Sequence, residues 1–306
     1  MRFYIWSAFG LLALGVVCWG CSGGLDRAAK ADASSITPKN DQGYVKRVGL
    51  GVIHAPSTEL GRESARWFAQ SVVATLQGQV DRLELLKAWE DDTIKEAIDF
   101  LKRNTIDAAA TRWRTDGFQG IATVALLDLR LVTEKTGIFW FRKERYFVKF
   151  EVVLDLYDTH SGAKLVNEVA EMSLKISQQN YEALQSGTVL HISDLDELLA
   201  DLADEFGEEA AEALQKHPWQ TSIISTDTGH IVLAAGRSSG LQVGDRLVIY
   251  NGNRAIDGES GKFVLPGMRI AEVDIKQVEE HRSNAVVLQN GSVQAGDIAV
   301  PIGRNP

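Results

Sequence analysis

Thiols are nearly absent from this 306-residue chain, whose two cysteines, Cys18 and Cys21, both fall within the first 24 positions. No disulfide can staple the remainder, so its fold must rest on buried apolar surface. Positive charge is in deficit: 32 Lys and Arg against 41 Asp and Glu leave a formal net charge of -9. Such a balance lacks the clustered cations that non-specific nucleic-acid or anionic-lipid binding needs, and no nucleic-acid partner is expected. Beyond residue 20 no apolar run is long enough to span a bilayer. The six histidines, His54, His160, His191, His217, His230 and His281, are scattered without H-x-x-x-H or Cys/His spacing, so no metal site is expected. No G-x-S-x-G elbow or P-loop occurs, and the lone G-x-G of Gly49 and Gly51 lacks a third glycine at dinucleotide spacing. The adjacent acids Asp91 and Asp92 read as helix-start residues rather than a catalytic pair. A non-enzymatic protein without a cofactor is expected.

What is present begins with a leader. Met1 and Arg2 give a positive start, residues 3–17 are almost wholly apolar, and Cys18-Trp19-Gly20-Cys21 leads into Ser22-Gly23-Gly24. A charged start, an apolar stretch of about 15 residues and a small residue before the break describe a secretory signal. Gly20-Cys21 followed by Ser-Gly-Gly resembles the lipobox of bacterial lipoproteins, although Cys18 and Trp19 stand where lipoboxes carry Leu and a small residue. That resemblance implies signal cleavage between Gly20 and Cys21 and acylation, with palmitate among the chains, of Cys21. It implies a lipid-anchored envelope protein, at the outer membrane and facing the periplasm. The alternative is an uncleaved anchor over residues 3–20, at the short edge of what spans a bilayer. Residues 21–43 are small and polar without apolar periodicity, which describes a flexible tether.

Regular structure is expected from Tyr44 onward. Val48, Leu50 and Val52 alternate with Gly49 and Gly51, a strand with one apolar face and one bare enough for close packing. Pro56-Ser57-Thr58 offers caps for a helix whose face is Leu60, Ser64, Ala65, Trp67, Phe68, Val72 and Leu76. A short strand at 83–86 follows. Thr93 and Glu96 read as a capping box for a second helix with the face Ile94, Ala97, Ile98, Leu101 and Ile106. Residues 121–132 and 147–157 read as long strands, the first ending in Leu127, Leu129 and Leu131 against Asp128 and Arg130. Asp158-Thr159-His160-Ser161-Gly162 is turn chemistry, and 165–176 is the returning strand. Ser193 with Asp196 reads as the cap of a third helix ended by Pro218.

From Trp219 the pattern changes to short strands, at 231–234, 246–250, 268–278 and 285–288, separated by Gly and Asn turns. Leu241-Gln242-Val243-Gly244-Asp245 is echoed by Val293-Gln294-Ala295-Gly296-Asp297, each Gly-Asp supplying a tight turn. The expected fold class is α+β. A helix-on-sheet α/β domain over 44–217 is followed by a small all-β barrel-like domain over 218–306.

Residues 236–246, Pro266-Gly267-Met268-Arg269-Ile270-Ala271 and Gly296-Asp297 resemble the C-terminal β domain of the flagellar assembly protein family FlgT. The α/β part is similar in layout to that family's middle domain, itself like the TolB N-terminal domain, with Asp158 to Leu165 as the local match. The resemblance implies a periplasmic structural protein of the flagellar basal body. The leader, and a length too short for that family's separate N-terminal domain, depart from the pattern.

One surface candidate stands out. Trp140, Phe141, Arg142, Lys143 and Arg145 lie in a run of interleaved aromatics and cations able to grip a partner. The residue pattern alone favours a hairpin tip whose aromatics fold back on the sheet. The leading reading is thus a tethered envelope scaffold acting by protein–protein contact, with envelope or flagellar basal-body proteins as partners and a homo-oligomer possible. The alternative is a ligand- or glycan-binding envelope lipoprotein using the cleft between the two domains.

Overall fold

The computed structural model describes residues 43–137, 139–227, 230–252, 254–258, 261–265, 267–289 and 291–302. The leader, including Gly20 and Cys21, lies outside the described residues. Two assemblies of secondary structure follow one another, a helix-covered mixed sheet and a closed barrel.

The first comprises β1 (Lys46–His54), α1 (Glu59–Gln79), β2 (Leu83–Lys87), α2 (Asp92–Leu101), α3 (Ile106–Thr115), β3 (Gly120–Thr136), β4 (Lys143–Asp158), β5 (Lys164–Ile176), α4 (Gln178–Gln185) and α5 (Ser193–Lys216). Its strand order is β2-β1-β3-β4-β5. β1 runs parallel to β2 and β3, and β3, β4 and β5 are antiparallel. The alternation of β1 separates two packing layers. Val48 and Leu50 join Phe68, Val72, Leu76, Leu195, Phe206 and their neighbours from α1 and α5 in the main core. Gly49 and Gly51 face the other way, where Trp113 of α3 and Ile98 of α2 close onto the bare backbone.

Local chemistry explains where the helices begin, and corrects three expectations. Thr58 caps α1, its hydroxyl accepting from the Gly61 N–H at 3.1 Å. For α2 the cap is Asp91 rather than Thr93. Its carboxylate accepts from the N–H groups of Thr93 and Ile94 at 2.8 and 3.3 Å, where an anion also meets the positive end of the helix dipole. For α5 the N-cap position is Ile192 with no side-chain cap bond, and Ser193 is already helical. The first turn is instead acidic, with Asp194 and Asp196. Ile106 does not extend the face of α2 but opens α3, which the sequence pattern did not separate. The polar helix α4 was also not anticipated; its Leu184 is buried and Tyr181 meets Tyr146 with ring centroids 4.9 Å apart.

In β3 the alternation breaks by one residue. Pairing with β4 steps from Leu126–Val152 to Asp128–Glu151, so Leu127 is a bulge and points to solvent while Leu126 and Leu129 are both buried. The expected inward set of Leu127, Leu129 and Leu131 is corrected at its first member.

The second assembly adds β6 (Thr221–Asp227), β7 (His230–Leu233), β8 (Arg246–Tyr250), β9 (Arg254–Gly258), β10 (Gly261–Leu265), β11 (Arg269–Val278), β12 (Ser283–Val287) and β13 (Ile298–Pro301). Six of these close in the order β11-β12-β7-β6-β13-β8, and β9 and β10 form a separate hairpin. The barrel is filled by Leu233, Leu247, Ile249, Val273, Ile275 and Ala285. The two echoed pentapeptides make the same turn. Gly244 and Gly296 adopt φ of 90° and 93°, a region where glycine is favoured. The Asp245 carboxylate accepts from the Gln242 N–H at 2.8 Å, and Asp297 from the Gln294 N–H at 2.9 Å. Asp297 also accepts from the Gly252 N–H at 3.0 Å and is wholly buried. Asp297→Ala removes the acceptor of the buried Gly252 N–H and of the part-buried Gln294 N–H and is expected to lower the unfolding free energy by about 2 kcal/mol, read by urea titration.

The assemblies meet through the segment entering β1. Tyr44 stacks on Trp219 at 4.8 Å, and the Trp219 indole N–H donates to the Val45 carbonyl at 3.0 Å. The Lys46 ammonium donates to the Leu214 carbonyl at 2.6 Å, pinning the end of α5.

Candidate functional site

β3 and β4 pair without interruption from Asp128–Glu151 to Thr136–Lys143, and the chain reverses through a single 3-10 turn at Phe139–Phe141. Both strands have their other ends beside the barrel, so this turn is the remote end of the sheet. Backbone pairing ties the two strands together along this length. Trp140 is 85 % exposed and Phe141 76 %. This corrects the expectation that the aromatics fold back at Trp140 and Phe141, whereas Tyr146 and Phe147, further down β4, are half-buried. Arg142, Lys143 and Arg145 are exposed and make no ion pair among the described residues. Glu144 is engaged by Lys135 at 3.4 Å and by the Tyr146 hydroxyl at 3.1 Å, while Glu134 is held by Lys149 at 2.9 Å. With its acids matched, the tip presents apolar rings inside a cationic collar. The structure therefore brings together the five residues that the sequence singled out.

A second polar cluster escaped the sequence reading. Asp158, read as a turn former, is 1 % exposed, as buried as any core leucine. Its carboxylate accepts from the N–H groups of His160 and Ser161 at 3.1 and 2.8 Å, from the Ser161 hydroxyl, and from Gln220 Nε2 at 3.3 Å. His217 Nε2 stands 3.3 Å away. Arg114 donates to the His160 carbonyl at 3.1 Å. Burial alone would raise the Asp158 pKa, but hydrogen bonds and charge from His160 and His217 hold it well below the usual carboxylate range. Burial lowers the pKa of His160, with Asp158 opposing and Arg114 and His217 adding to the fall. His160 Nε2 has no hydrogen-bond partner among the described residues. With Asp158 and His160 sealed from solvent no substrate reaches them, and the cluster works as a joint. It ties the β4–β5 turn, the end of α5 and the first residues of the barrel to one carboxylate. The only local sequence signal was D-x-x-S-G, which names the turn but not its burial.

The cleft between sheet layer and barrel is a cavity of about 310 Å³, bordered by Arg47, Asp116 and Phe118 on one side and His281 and Arg282 on the other. Among the described residues no group of three His, Cys, Asp or Glu side chains could hold a metal, and no helix is long and apolar enough to cross a membrane.

No protein-family model matches the chain, and no curated protein matches it in sequence. Solved structures with partial likeness include a minor lipoprotein from Acinetobacter baumannii, 10 % identical, TM-score 0.30, covering 55 % of this chain and 93 % of that one. The PelC dodecamer from Paraburkholderia phytofirmans is 14 % identical with a TM-score of 0.29, covering 56 % and 86 % of the two chains. TolB from Acinetobacter baumannii is 10 % identical with a TM-score of 0.28, covering 82 % and 62 %.

Proposed function

We propose that this chain is a membrane-tethered scaffold lipoprotein of the bacterial cell envelope, anchored through Cys21, that acts by protein–protein contact at the β3–β4 tip. The observation that carries this reading is the solvent exposure of Trp140 and Phe141 beside Arg142, Lys143 and Arg145, which make no ion pair among the described residues. Aromatic and arginine side chains are the residues that dominate binding energy at protein interfaces. The leader supplies the anchor, and the FlgT-like motifs of the barrel favour the flagellar basal body as the finer placement.

A photocrosslinking amino acid placed at position 140, in cells expressing the full chain, tests the surface. The expected result is a discrete adduct in the membrane fraction that is absent when the crosslinker replaces Glu63 on α1. Adducts of equal yield at both positions, or none at 140, would discard the tip as the contact. Trp140→Ala with Phe141→Ala is expected to change unfolding free energy by less than about 0.5 kcal/mol while abolishing co-purification of the crosslinked partner. Cys21→Ser should move the chain from the membrane pellet to the soluble fraction and remove palmitate labelling. Recovery of the chain in purified hook–basal bodies would support the flagellar placement, and its absence there would leave a general envelope scaffold.

A further inference from the structure

A cavity of about 580 Å³ lies not in the cleft but at the carboxyl ends of β1 and β2, between α1 and α2. That volume lies within the range of small-molecule sites, and crevices beyond the carboxyl ends of parallel strands are where open α/β sheets bind ligands. The β1–β3 pairing slips between Val52 and His54, and this bulge turns the end of β1 toward the cavity. The floor is apolar, from Val52, Ile53, Ala88 and Ile98, and the Trp89 ring forms one wall.

The rim appears balanced in charge until its internal pairs are removed. Glu90 is paired with Lys87 at 2.8 Å, Asp99 with Lys102 at 3.1 Å, and Asp91 is consumed as the cap of α2. Of the acids only Asp92 is left, in the first turn of α2 where it faces the helix dipole. Arg62 donates to the Ser57 carbonyl rather than to an acid, and Arg66 and Lys95 make no ion pair among the described residues. Arg62 and Arg66, one turn apart on α1, line the cavity together with Lys95 on α2. Three cations that make no ion pair among the described residues, beside apolar lining, have the makeup of an anion site.

We propose that this cavity binds a small organic anion, its acidic group held by Arg62, Arg66 and Lys95 and its flat apolar body laid against Trp89 and Ile98. The site is separate from the tip, and an envelope scaffold carrying it would respond to a metabolite.

The test is isothermal titration of the full, detergent-solubilised chain with 1-naphthyl phosphate, beside inorganic phosphate and uncharged 1-naphthol. One saturable site is expected at about 1 mM or tighter, the affinity that a drug-like efficiency gives a molecule of this size. Inorganic phosphate and naphthol should each bind at least tenfold more weakly, because each offers half of the recognition. Arg62→Glu with Arg66→Glu should weaken naphthyl phosphate tenfold or more, and Trp89→Ala severalfold. Arg142→Glu with Lys143→Glu at the tip should leave it unchanged. Circular dichroism checks folding; if the double reversal does not fold, Arg62→Gln with Arg66→Gln replaces it. No saturation by 1-naphthyl phosphate, equal affinity in the charge-altered cavity variant, or loss in the tip variant would overturn the proposal.

Discussion

Alanine at position 49 is expected to cost at least about 3 kcal/mol of unfolding free energy, at or beyond the upper end of ordinary overpacking. A Cβ built on Gly49 would stand 1.7 Å from Trp113 Cζ3 and 2.2 Å from Cη2. No side-chain rotation relieves this, because Trp113 is itself wholly buried, edge-on to Phe118 at 4.9 Å and packed with Ile98 and Ile121. Helix α3 would have to lift from the sheet, opening the second core. Gly78 is the internal contrast. It lies in α1 with nothing within 4 Å of the same added atom. Gly78→Ala should therefore stabilise by about 0.5–1 kcal/mol through helix propensity. The decisive measurement is a double-mutant cycle by urea titration. In a Trp113→Ala background, costly in itself, Gly49→Ala should become neutral or mildly stabilising. Additive penalties at the two positions would show that the contact is not what makes Gly49 necessary.

The second large effect is expected at the buried joint. Asp158→Ala strands the donors of His160, Ser161 and Gln220 in a sealed site and should cost about 3 kcal/mol or more. The same cluster makes stability depend on pH, with a definite sign. The lowered pKa of His160 means that the fold prefers neutral imidazole, whereas the unfolded chain protonates near 6.5. Its contribution is present above pH 6.5 and is lost as pH falls below that value toward the folded pKa. Asp158, with its pKa depressed, contributes above the unfolded value near 3.8, and that part is lost only as pH falls through and below it. The urea midpoint should thus drop between pH 7 and pH 5, and a His160→Asn variant should lose most of that slope. A wild-type midpoint flat across that interval would contradict the neutral, buried histidine.

Much of the fold was legible because its signals are local. The Val48/Gly49/Leu50/Gly51 alternation announces a strand with one bare face, and the structure fills that face with Trp113 and Ile98. The two Gly-Asp pentapeptides announce a turn and adopt it twice. Where reading failed, the deciding partner was distant or the pattern shifted by one. A bulge at Leu127 leaves the leucine spacing intact while turning one residue outward, which only pairing with Val152 and Glu151 reveals. Thr93 and Glu96 satisfy a capping box on paper, yet Asp91 two residues earlier offers a charged acceptor and wins. Asp158 looked like an ordinary turn residue because its partners His217 and Gln220 lie some 60 positions away. At the tip the residues were identified from sequence, but their exposure was not: aromatics in a strand pattern are normally half-buried. Trp140 and Phe141 lie in the turn beyond the last ladder pair, Thr136–Lys143, where the strand pattern no longer applies.

The long β3–β4 ladder also makes the molecule a gauge. Gly120 begins β3 beside Val48, close to where the chain enters the body at Tyr44, and Thr136 ends it next to the exposed rings. At about 3.3 Å per residue, that run is roughly 50 Å long. The distance from that point of entry to the exposed rings is set by strand pitch. Two added residues in each strand would carry the rings about 7 Å outward. Selection on the reach of those rings would therefore act on hairpin length.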